Sequence, residues 1–600
     1  MAFEMLYTSY STGTIVIVIA TSTIALQDQL MKDVRYLHEQ LGIRLKLIYA
    51  KGQANYVCLN RAEEYLSKHR SAMAKKIAAL IADGHQDRAE YPTDLPQEIW
   101  NQICITQYGP GCHRCHRICQ YRRMRKELRW TTGIILCNQD LLTVHLLRQS
   151  RGQTGIFCDQ IEMLVIDEAH NLESKVRNAV TERLSQSSLL AMIDQSQAGI
   201  PATLSGQLQR EVQDAGEAVR AFFQDLDAQV RRQIEQTVQD MRYADRFFFS
   251  GPLDKLRVMV SALARLWDRT QVLSTYGPGQ TQENASDGLG EVVDMLSRVL
   301  SGREENMLWI ERKGRTTELV YCPRNVRDII QELYFGGGVR TVMTSATLTN
   351  SNQGSLSNRY SYFIRNTGFP LDGRGCLSEP KPSPFPYDEH TMVYYCDDLP
   401  HPNQEHEAFL RQGTNRLVEI LAITQGKALV LFTSKGDLDG VYEQLQQRNL
   451  PYKVLRQQAG SSQDQVLAEF KSNVNCVLLG TGAYWEGIDI KGKSLSSLVI
   501  FRLPFPVPDP IIEDKVSRAE DGLMDVRVPE MVIKLKQGVG RLIRSASDTG
   551  IVSIIDPRLR DIPPARYHDI VWSAIPIKNR TTSLETLRSF YDSLPEHPGT

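Results

Sequence analysis

The sequence of 600 residues has almost no net charge, because 69 Lys and Arg residues are balanced by 70 Asp and Glu residues. A net charge of -1 does not indicate a nucleic-acid partner, so any basic surface must be local. The first Lys or Arg is Lys32, so we expect no signal peptide, which would need a positive n-region. The apolar run from Thr14 to Leu26 is too short to span a bilayer. We expect a protein of the cytoplasm that has no membrane partner.

A phosphate-binding loop, Gly-x-Gly-Lys-Ser/Thr, is missing before the first predicted strand, residues 14 to 22. In such a loop the backbone N–H groups and the lysine hold the β- and γ-phosphates of a nucleotide. The segment from Gly487 to Ser494, GIDIKGKS, matches a longer form of the motif. We reject this match, because the motif must open a helix and this segment runs into another predicted strand.

Residues 163 to 172, MLVIDEAHNL, contain a short apolar run that ends in charged side chains. Four consecutive apolar residues predict a buried parallel strand, and ligands bind outside the carboxyl ends of such strands. Asp167 there can hold Mg²⁺, Glu168 can activate a water molecule, and His170 can sense a γ-phosphate. The alternative is a strand followed by a helix whose first turn is acidic.

Two regions of the chain alternate apolar strands with helical segments. The first includes residues 14 to 34, 131 to 145, 163 to 166 and 340 to 349, and the second extends from residue 426 to residue 558. Alternation of this kind predicts two α/β cores that flank a cleft. Between residues 172 and 305 the pattern instead predicts long helices, including one of more than thirty residues from 208 to 241, and a polar loop at 275 to 288.

Four of the 11 cysteines are crowded between residues 104 and 119. Together with Cys58, the thiols of Cys112, Cys115 and Cys119 give the ligand number of an iron–sulfur cluster or a structural zinc site. Unrelated free cysteines are the alternative. Six Arg and one Lys lie between Gly111 and Trp130, which suits either a nucleic-acid backbone or a solvated charged helix.

Eight segments occur in an order that resembles the DinG/XPD branch of the superfamily 2 helicases, with closer similarity to bacterial DinG. They are ATSTIALQDQL, KGQANYVC, the cysteine cluster, DEAHN, TSATL, LVLFTS, WEGIDIKG and QGVGRLIRS. The resemblance implies an α/β fold with two RecA-like motor domains, an inserted iron–sulfur-like cysteine domain and an inserted helical arch. The expected boundaries are 1–50, 131–171 and 306–384 for motor domain 1, 51–130 for the cysteine domain, 172–305 for the arch and 385–600 for motor domain 2.

The same resemblance implies functions for individual residues. Asp167 would coordinate Mg²⁺, Glu168 would activate water, and His170 and Gln537 would belong to the catalytic site. Arg541 and Arg544 would stabilise charge on the transferred phosphoryl group. The residues expected to couple nucleotide binding to DNA are Thr23, Ser345, Thr347, Glu486 and Asp489.

Two departures from the family pattern leave alternatives open. The cysteine spacing is tighter than the family norm, so Cys104 could replace a ligand, and zinc with His113 and His116 nearby is an alternative to a 4Fe–4S cluster. The missing phosphate-binding loop has three competing explanations: a start codon placed too late, a deletion, or a chain that binds DNA without hydrolysing ATP. We favour the expectation of a helicase truncated before this loop.

The resemblance implies an ATP-dependent DNA helicase of the bacterial cytoplasm that moves 5′ to 3′ on single-stranded DNA. Its cofactors would be ATP, Mg²⁺ and a cluster, its partners single-stranded and forked DNA and a CRISPR or DNA-repair complex, and its state a monomer. The alternatives are an ATPase-deficient DNA-binding protein or scaffold and a DEAH-type RNA helicase.

Overall fold

The computed structural model describes residues 16–595, apart from short gaps. The gaps are residues 43–45, 93, 107–117, 198–205, 207, 237–243, 275–280, 303–304, 315, 458–462, 474, 486–489, 491–494, 544 and 546. The chain forms two compact units: unit 1 combines residues 1–176, 327–506 and 523–600, and unit 2 combines residues 177–326 and 507–522.

Most strands of unit 1 are short runs of Val, Ile and Leu that are buried on both faces, as in parallel sheets covered by helices. The strands in the described part of the chain are β1 (Val16–Thr21), β2 (Leu47–Tyr49), β3 (Gly133–Asn138), β4 (Met163–Ile166), β5 (Glu182–Ser185), β6 (Arg246–Phe248), β7 (Asn306–Lys313), β8 (Thr316–Pro323), β9 (Arg340–Met343), β10 (Thr391–Tyr395), β11 (Ala428–Phe432), β12 (Lys453–Arg456), β13 (Cys476–Gly480), β14 (Ser497–Phe501), β15 (Gly550–Ile554) and β16 (Arg580–Thr581).

Helices follow most strands of unit 1, and several begin at a side-chain cap such as Asn138, Ser434 or Ser583. The helices in the described part of the chain are α1 (Ile24–Leu41), α2 (Leu59–Lys68), α3 (Ala72–Ala82), α4 (Gln97–Ile103), α5 (Gln120–Arg129), α6 (Gln139–Ser150), α7 (Leu172–Val180), α8 (Gln186–Ser196), α9 (Gln209–Gln236), α10 (Asp254–Ser274), α11 (Thr281–Leu300), α12 (Val326–Ile330), α13 (Leu356–Arg359), α14 (Ser361–Thr367), α15 (Tyr387–His390), α16 (His406–Thr424), α17 (Lys435–Gln446), α18 (Gln463–Ser472), α19 (Pro510–Arg518), α20 (Val528–Val539), α21 (His568–Ala574) and α22 (Leu584–Ser593).

Unit 1 contains two parallel sheets. The first has the order β2-β3-β1-β4-β9, and the second has the order β12-β13-β11-β14-β15-β10-β16. We call residues 16–176 and 327–384, with the first sheet, the first half of unit 1. Residues 385–506 and 523–595, with the second sheet, form the second half. The predicted α/β fold with parallel sheets is therefore confirmed.

Unit 2 is built differently, from an antiparallel sheet and long helices. The sheet has the order β5-β8-β7-β6, and a core of side chains such as Phe222, Leu263 and Leu296 packs α9, α10 and α11 together. Helix α9 covers residues 209–236 of the helix predicted for 208 to 241, and residues 237–241 lie outside the described residues. The predicted loop at 275 to 288 is wrong from Thr281 onward, where α11 begins.

The sequence-based domain boundaries stay predictions. Among the described helices, none combines the length and apolar character that crossing a membrane requires.

Candidate functional site

The carboxylates of Asp167 and Glu168 follow β4, which lies between β1 and β9 in the first sheet. Glu168 has φ 51° and ψ 44°, a left-handed conformation that costs a residue with a side chain about 1 to 3 kcal/mol. Backbone hydrogen bonds hold this turn, from Asp167 N to Ala20 O at 2.8 Å and from Ala169 N to Thr344 O at 3.0 Å. The Gln139 amide also donates to the carbonyls of Asp167 and Glu168, at 2.6 and 3.2 Å.

The two carboxylates have pKa values shifted in opposite directions. Burial, followed by the charge of Glu168, raises the pKa of Asp167, although Thr21 Oγ1 donates to its Oδ2 at 3.0 Å. A hydrogen bond from His170 lowers the pKa of Glu168 against the effect of burial, and Ser345 and Arg541 contribute in the same direction. Glu168 is therefore ionised at neutral pH, as a group that accepts a proton must be.

A chain of side-chain hydrogen bonds begins at Glu168. Ser345 Oγ donates to Glu168 Oε2 at 3.0 Å, and His170 Nδ1 lies 2.8 Å from Ser345 Oγ and 3.3 Å from Glu168 Oε2. Gln537 Nε2 lies 2.6 Å from His170 Nε2. With the glutamine amide donating, His170 accepts at Nε2 and carries its proton on Nδ1. Because Gln537 lies on α20, the chain links the carboxylate to the second half of unit 1.

Further polar contacts join the two halves, and we call this set of contacts the seam. Besides the contact between His170 and Gln537, the seam contains Lys536 with Thr349, Asn352 with the Ser573 carbonyl, Tyr362 with Glu530, and Arg365 with Asp525. Lys536 Nζ donates to Thr349 O at 2.9 Å and to Thr349 Oγ1 at 3.2 Å. Burial lowers the pKa of Lys536 to about 8.

The remaining predicted residues of the first half lie near the same chain of hydrogen bonds. Thr347 is buried, and its N–H donates to Ser345 Oγ at 3.2 Å. Thr23 Oγ1 accepts from Leu26 N at 3.2 Å at the start of α1. On the second half, Arg541 Nε donates to the Trp485 carbonyl at 3.1 Å. Glu486, Asp489 and Arg544 lie outside the described residues.

A cavity of about 890 Å³ opens between the two halves. Thr23, Glu168 and His170 line it from the first half, and Gln537 and Arg541 line it from the second. Its volume is in the range of small-molecule and cofactor sites, about 300 to 1,000 Å³. The arrangement can hold a polyanion beside an ionised carboxylate and an arginine.

The structure also contains site residues that the sequence patterns did not indicate: Thr21, Gln139, Thr349 and Lys536. Thr21 and Gln139 could have been found as polar residues at the carboxyl ends of β1 and β3, where ligand sites of parallel sheets form. Lys536 gives no such signal, because an amphipathic helix commonly carries lysines.

Gln86 links the two chain segments that contain Cys58 and Cys119. The Gln86 carbonyl accepts from Val57 N at 2.8 Å, while its side chain donates to Ile118 O at 2.7 Å and accepts from Gln120 N at 2.9 Å. The rings of Tyr56 and Tyr121, each two residues from one of these cysteines, have centroids 5.4 Å apart. Cys104 is buried, and its backbone forms an isolated antiparallel β-bridge with Val57.

The other two predicted ligands, Cys112 and Cys115, lie outside the described residues, as do His113 and His116. Within the described ranges, no group of three or more His, Cys, Asp or Glu side chains is placed to hold a metal.

Comparison with known proteins gives related sequences and a related fold. Residues 417–576 match the helicase C-terminal domain family. The probable ATP-dependent helicase YpvA of Bacillus subtilis is 24% identical over 92% of this chain and 85% of that protein. The ATP-dependent helicase DinG of Mycobacterium tuberculosis is 24% identical over 96% of this chain and 87% of that protein. A solved structure of an XPD helicase has a TM-score of 0.53 and 16% identity, covering 95% of this chain and 92% of that one.

The chain is similar to the DinG/XPD-like helicases of superfamily 2 and contains a helicase C-terminal domain at residues 417–576. Its two parallel sheets are accordingly RecA-like, and the resemblance inferred from the sequence motifs is confirmed. The DEAH residues lie on the first RecA-like domain, and residues 537–543 of the QGVGRLIR motif lie on the second. The cavity lies between them.

Proposed function

We propose that this chain is an ATP-dependent DNA helicase or translocase that moves 5′ to 3′ on single-stranded DNA and couples ATP hydrolysis to duplex unwinding. The observation that carries the proposal is the hydrogen-bonded chain Glu168–Ser345–His170–Gln537, which crosses the cavity from one RecA-like domain to the other. A site completed by two domains can change when they close on a nucleotide, so hydrolysis can be coupled to movement.

Asp167 is the proposed Mg²⁺ ligand. The fit rests on its environment: burial and the neighbouring Glu168 charge disfavour its ionised form, and a divalent cation would relieve both effects. When bound, Mg²⁺ would neutralise negative charge on the β- and γ-phosphates. Thr21 orients the carboxylate by donating to Oδ2 at 3.0 Å.

Glu168 is the proposed general base for the attacking water. His170 and Ser345 donate to its Oε2 side and fix its position, and Gln537 fixes the tautomer of His170. Arg541, and Arg544 by resemblance, would stabilise charge on the phosphoryl group as it transfers. Thr23, Ser345, Thr347, Glu486 and Asp489 would couple the nucleotide to the DNA.

The cysteines are proposed to hold a 4Fe–4S cluster, with zinc as the alternative. Gln86 holds together the segments that contain Cys58 and Cys119, which fits this set, because a cluster needs thiolates from separate segments. Cys112 and Cys115 would complete the ligands. The domain arrangement proposed for the chain places this site in an inserted domain and the long helices of residues 172–305 in an arch.

The proposed partners are single-stranded and forked DNA, and a repair or CRISPR complex in the bacterial cytoplasm, with the chain acting as a monomer. Phosphate contacts should dominate binding, so affinity should fall steeply with salt.

The first test is phosphate release from ATP by the full chain, with and without single-stranded DNA. We expect DNA-stimulated turnover that Glu168→Gln reduces by at least about a hundredfold, since this removes the general base. Glu443→Gln, on α17 outside the site, serves as the matched control. DNA binding without turnover would instead identify an ATP-independent binding protein, and preference for RNA strands would identify an RNA helicase.

A further inference from the structure

One wall of the cavity is a proline-rich segment, residues 378–388, which we call the strap. Proline occupies every second position from Pro380 to Pro386. Each proline ring fixes φ near about −65° and removes a backbone donor, so such a segment stays extended and needs few backbone partners. Between the prolines, Lys381, Ser383 and Phe385 line the cavity, and Tyr387 follows them.

Both ends of the strap are fastened. At its start, Arg359 Nη1 pairs with Glu379 Oε2 at 2.8 Å and Tyr360 OH donates to Ser378 O at 2.9 Å. At its end, Lys578 N donates to Asp388 Oδ1 at 3.1 Å, and Lys578 Nζ pairs with Asp388 Oδ2 at 3.0 Å. A wall held in this way loses little conformational freedom when a ligand binds against it.

The strap brings two aromatic rings to the cavity. Phe385 and Tyr387 are half-buried, pack against the core of the second half, and lie edge to face with centroids 6.4 Å apart. Core packing fixes one side of the pair, while the cavity borders the other. Aromatic rings at the border of a cavity suit a flat, unsaturated ligand group, because stacking needs only a π-face.

The rest of the cavity lining has a different chemistry. Glu168, His170, Gln537 and Arg541 present a carboxylate, hydrogen-bonding groups and a guanidinium, which suit phosphates and a water nucleophile. One cavity therefore combines a charged set of residues with an aromatic wall, as the two ends of a nucleoside triphosphate require.

We propose that the strap is the nucleobase subsite of this cavity, where Phe385 and Tyr387 stack against the base of the bound nucleotide. The inference rests on the proposed function, since it needs a nucleotide in the cavity. Recognition by stacking predicts weak discrimination between adenine and guanine and a preference for purines over pyrimidines, whose rings offer less area.

Binding measurements separate the base from the phosphates. We would measure the affinities of ATPγS and of inorganic tripolyphosphate for the full chain by calorimetry in the presence of Mg²⁺. Phe385→Ala should weaken ATPγS binding about tenfold, which is the contribution of one base stacked on one aromatic side chain. It should change tripolyphosphate binding less than about twofold, because tripolyphosphate has no base. Phe385→Trp should keep the affinity, and Tyr36→Ala, an exposed tyrosine on α1, is the matched control.

Four outcomes would overturn the inference. Unchanged ATPγS affinity in Phe385→Ala, with hydrolysis by the parent chain intact, would reject the subsite alone. An equal loss for tripolyphosphate would show that the ring supports the site as a whole. Weaker binding of single-stranded DNA with ATPγS unaffected would assign the wall to a base of the strand. A parent chain that binds no ATPγS would reject the proposed function together with the subsite.

Discussion

His170 connects the two RecA-like domains through a single imidazole. Its Nδ1 lies 2.8 Å from Ser345 Oγ and 3.3 Å from Glu168 Oε2 on the first domain. Its Nε2 lies 2.6 Å from Gln537 Nε2 on the second domain. Since the two nitrogens of a neutral imidazole have opposite roles, a donor at one side determines what the other side can donate. The position of α20 therefore influences the proton beside Glu168.

This connection predicts the effect of Gln537→Met, which removes the amide but keeps the length of the side chain. We expect DNA-stimulated turnover to fall about tenfold, since one hydrogen bond that orients the base is lost. The measurement is steady-state phosphate release, with Gln446→Met, at the exposed end of α17, as the matched control. Turnover within about twofold of the parent chain would argue against a role for the contact.

His145 gives a prediction about stability. It is fully buried, and burial lowers its pKa to about 4. Its Nδ1 accepts from Ile156 N and Phe157 N at 2.9 and 3.2 Å. Between pH 6.5 and pH 4 the unfolded chain binds a proton that the folded chain excludes, so the free energy of unfolding falls as the pH falls through this window.

The loss should amount to about 3 kcal/mol at pH 4, from a shift of about two and a half pKa units. His145→Asn keeps an acceptor near the position of Nδ1 and removes the titration. We therefore expect its thermal midpoint to decline less steeply than that of the parent chain between pH 6.5 and pH 4.5. His69→Asn, at an exposed histidine, should decline as the parent chain does. Parallel curves for all three proteins would contradict the assignment.

At the scale of elements, α5 is a strongly basic helix with an exposed face. Arg123, Lys126 and Arg129 are exposed at a spacing of three, and Trp130, at the end of the helix, is 83% exposed. Tyr121 and Leu128 are buried, so the helix is anchored by its opposite face. Exposed cations beside an exposed indole suit a single strand, with phosphates on the cations and a base on the ring.

Replacing Arg123, Lys126 and Arg129 by Gln should weaken single-strand binding and flatten its salt dependence. Three lost phosphate contacts would reduce the slope of log K against log salt by about 2. Fluorescence anisotropy over a salt series measures this slope. A variant with Gln at Arg70, Lys75 and Lys76 loses the same charge elsewhere and should keep the slope. An equal change in both variants would mean a general charge effect.

Elements differed in how far the sequence predicted them. Buried strands such as β1 and β4 were predicted within two residues, because runs of β-branched and aliphatic residues have few other uses. The start of α11 was not predicted, because its first turns contain Asn, Ser, Asp and Gly. These residues favour loops when no tertiary contact is known. Packing on α10 through residues such as Leu289 and Val293 overrides that local preference.

At the scale of the whole molecule, motif order predicted the fold class, and motifs far apart in sequence meet at one cavity. The sequence could not predict which side chains would link them. The contact between His170 and Gln537 joins positions 367 residues apart, and the left-handed backbone of Glu168 occurs without a glycine to indicate it. The first follows from the meeting of two sheets, and the second from contacts of the turn with Ala20, Gln139 and Thr344 of the first half. No local pattern encodes either. The roles of these residues stay predictions.

The seam has a mechanical consequence. Its named contacts, such as Lys536 with Thr349 and Arg365 with Asp525, are hydrogen bonds and ion pairs, whose lost partners water can replace when they separate. Each contact would cost only about 1 kcal/mol to open. An apolar interface would cost more to open, because its surface would be exposed to water. Thermal motion can therefore separate and rejoin such contacts repeatedly. For the motor activity that we propose, a joint of this kind would need little free energy to reset after each cycle, so most of the free energy of ATP hydrolysis would remain for mechanical work.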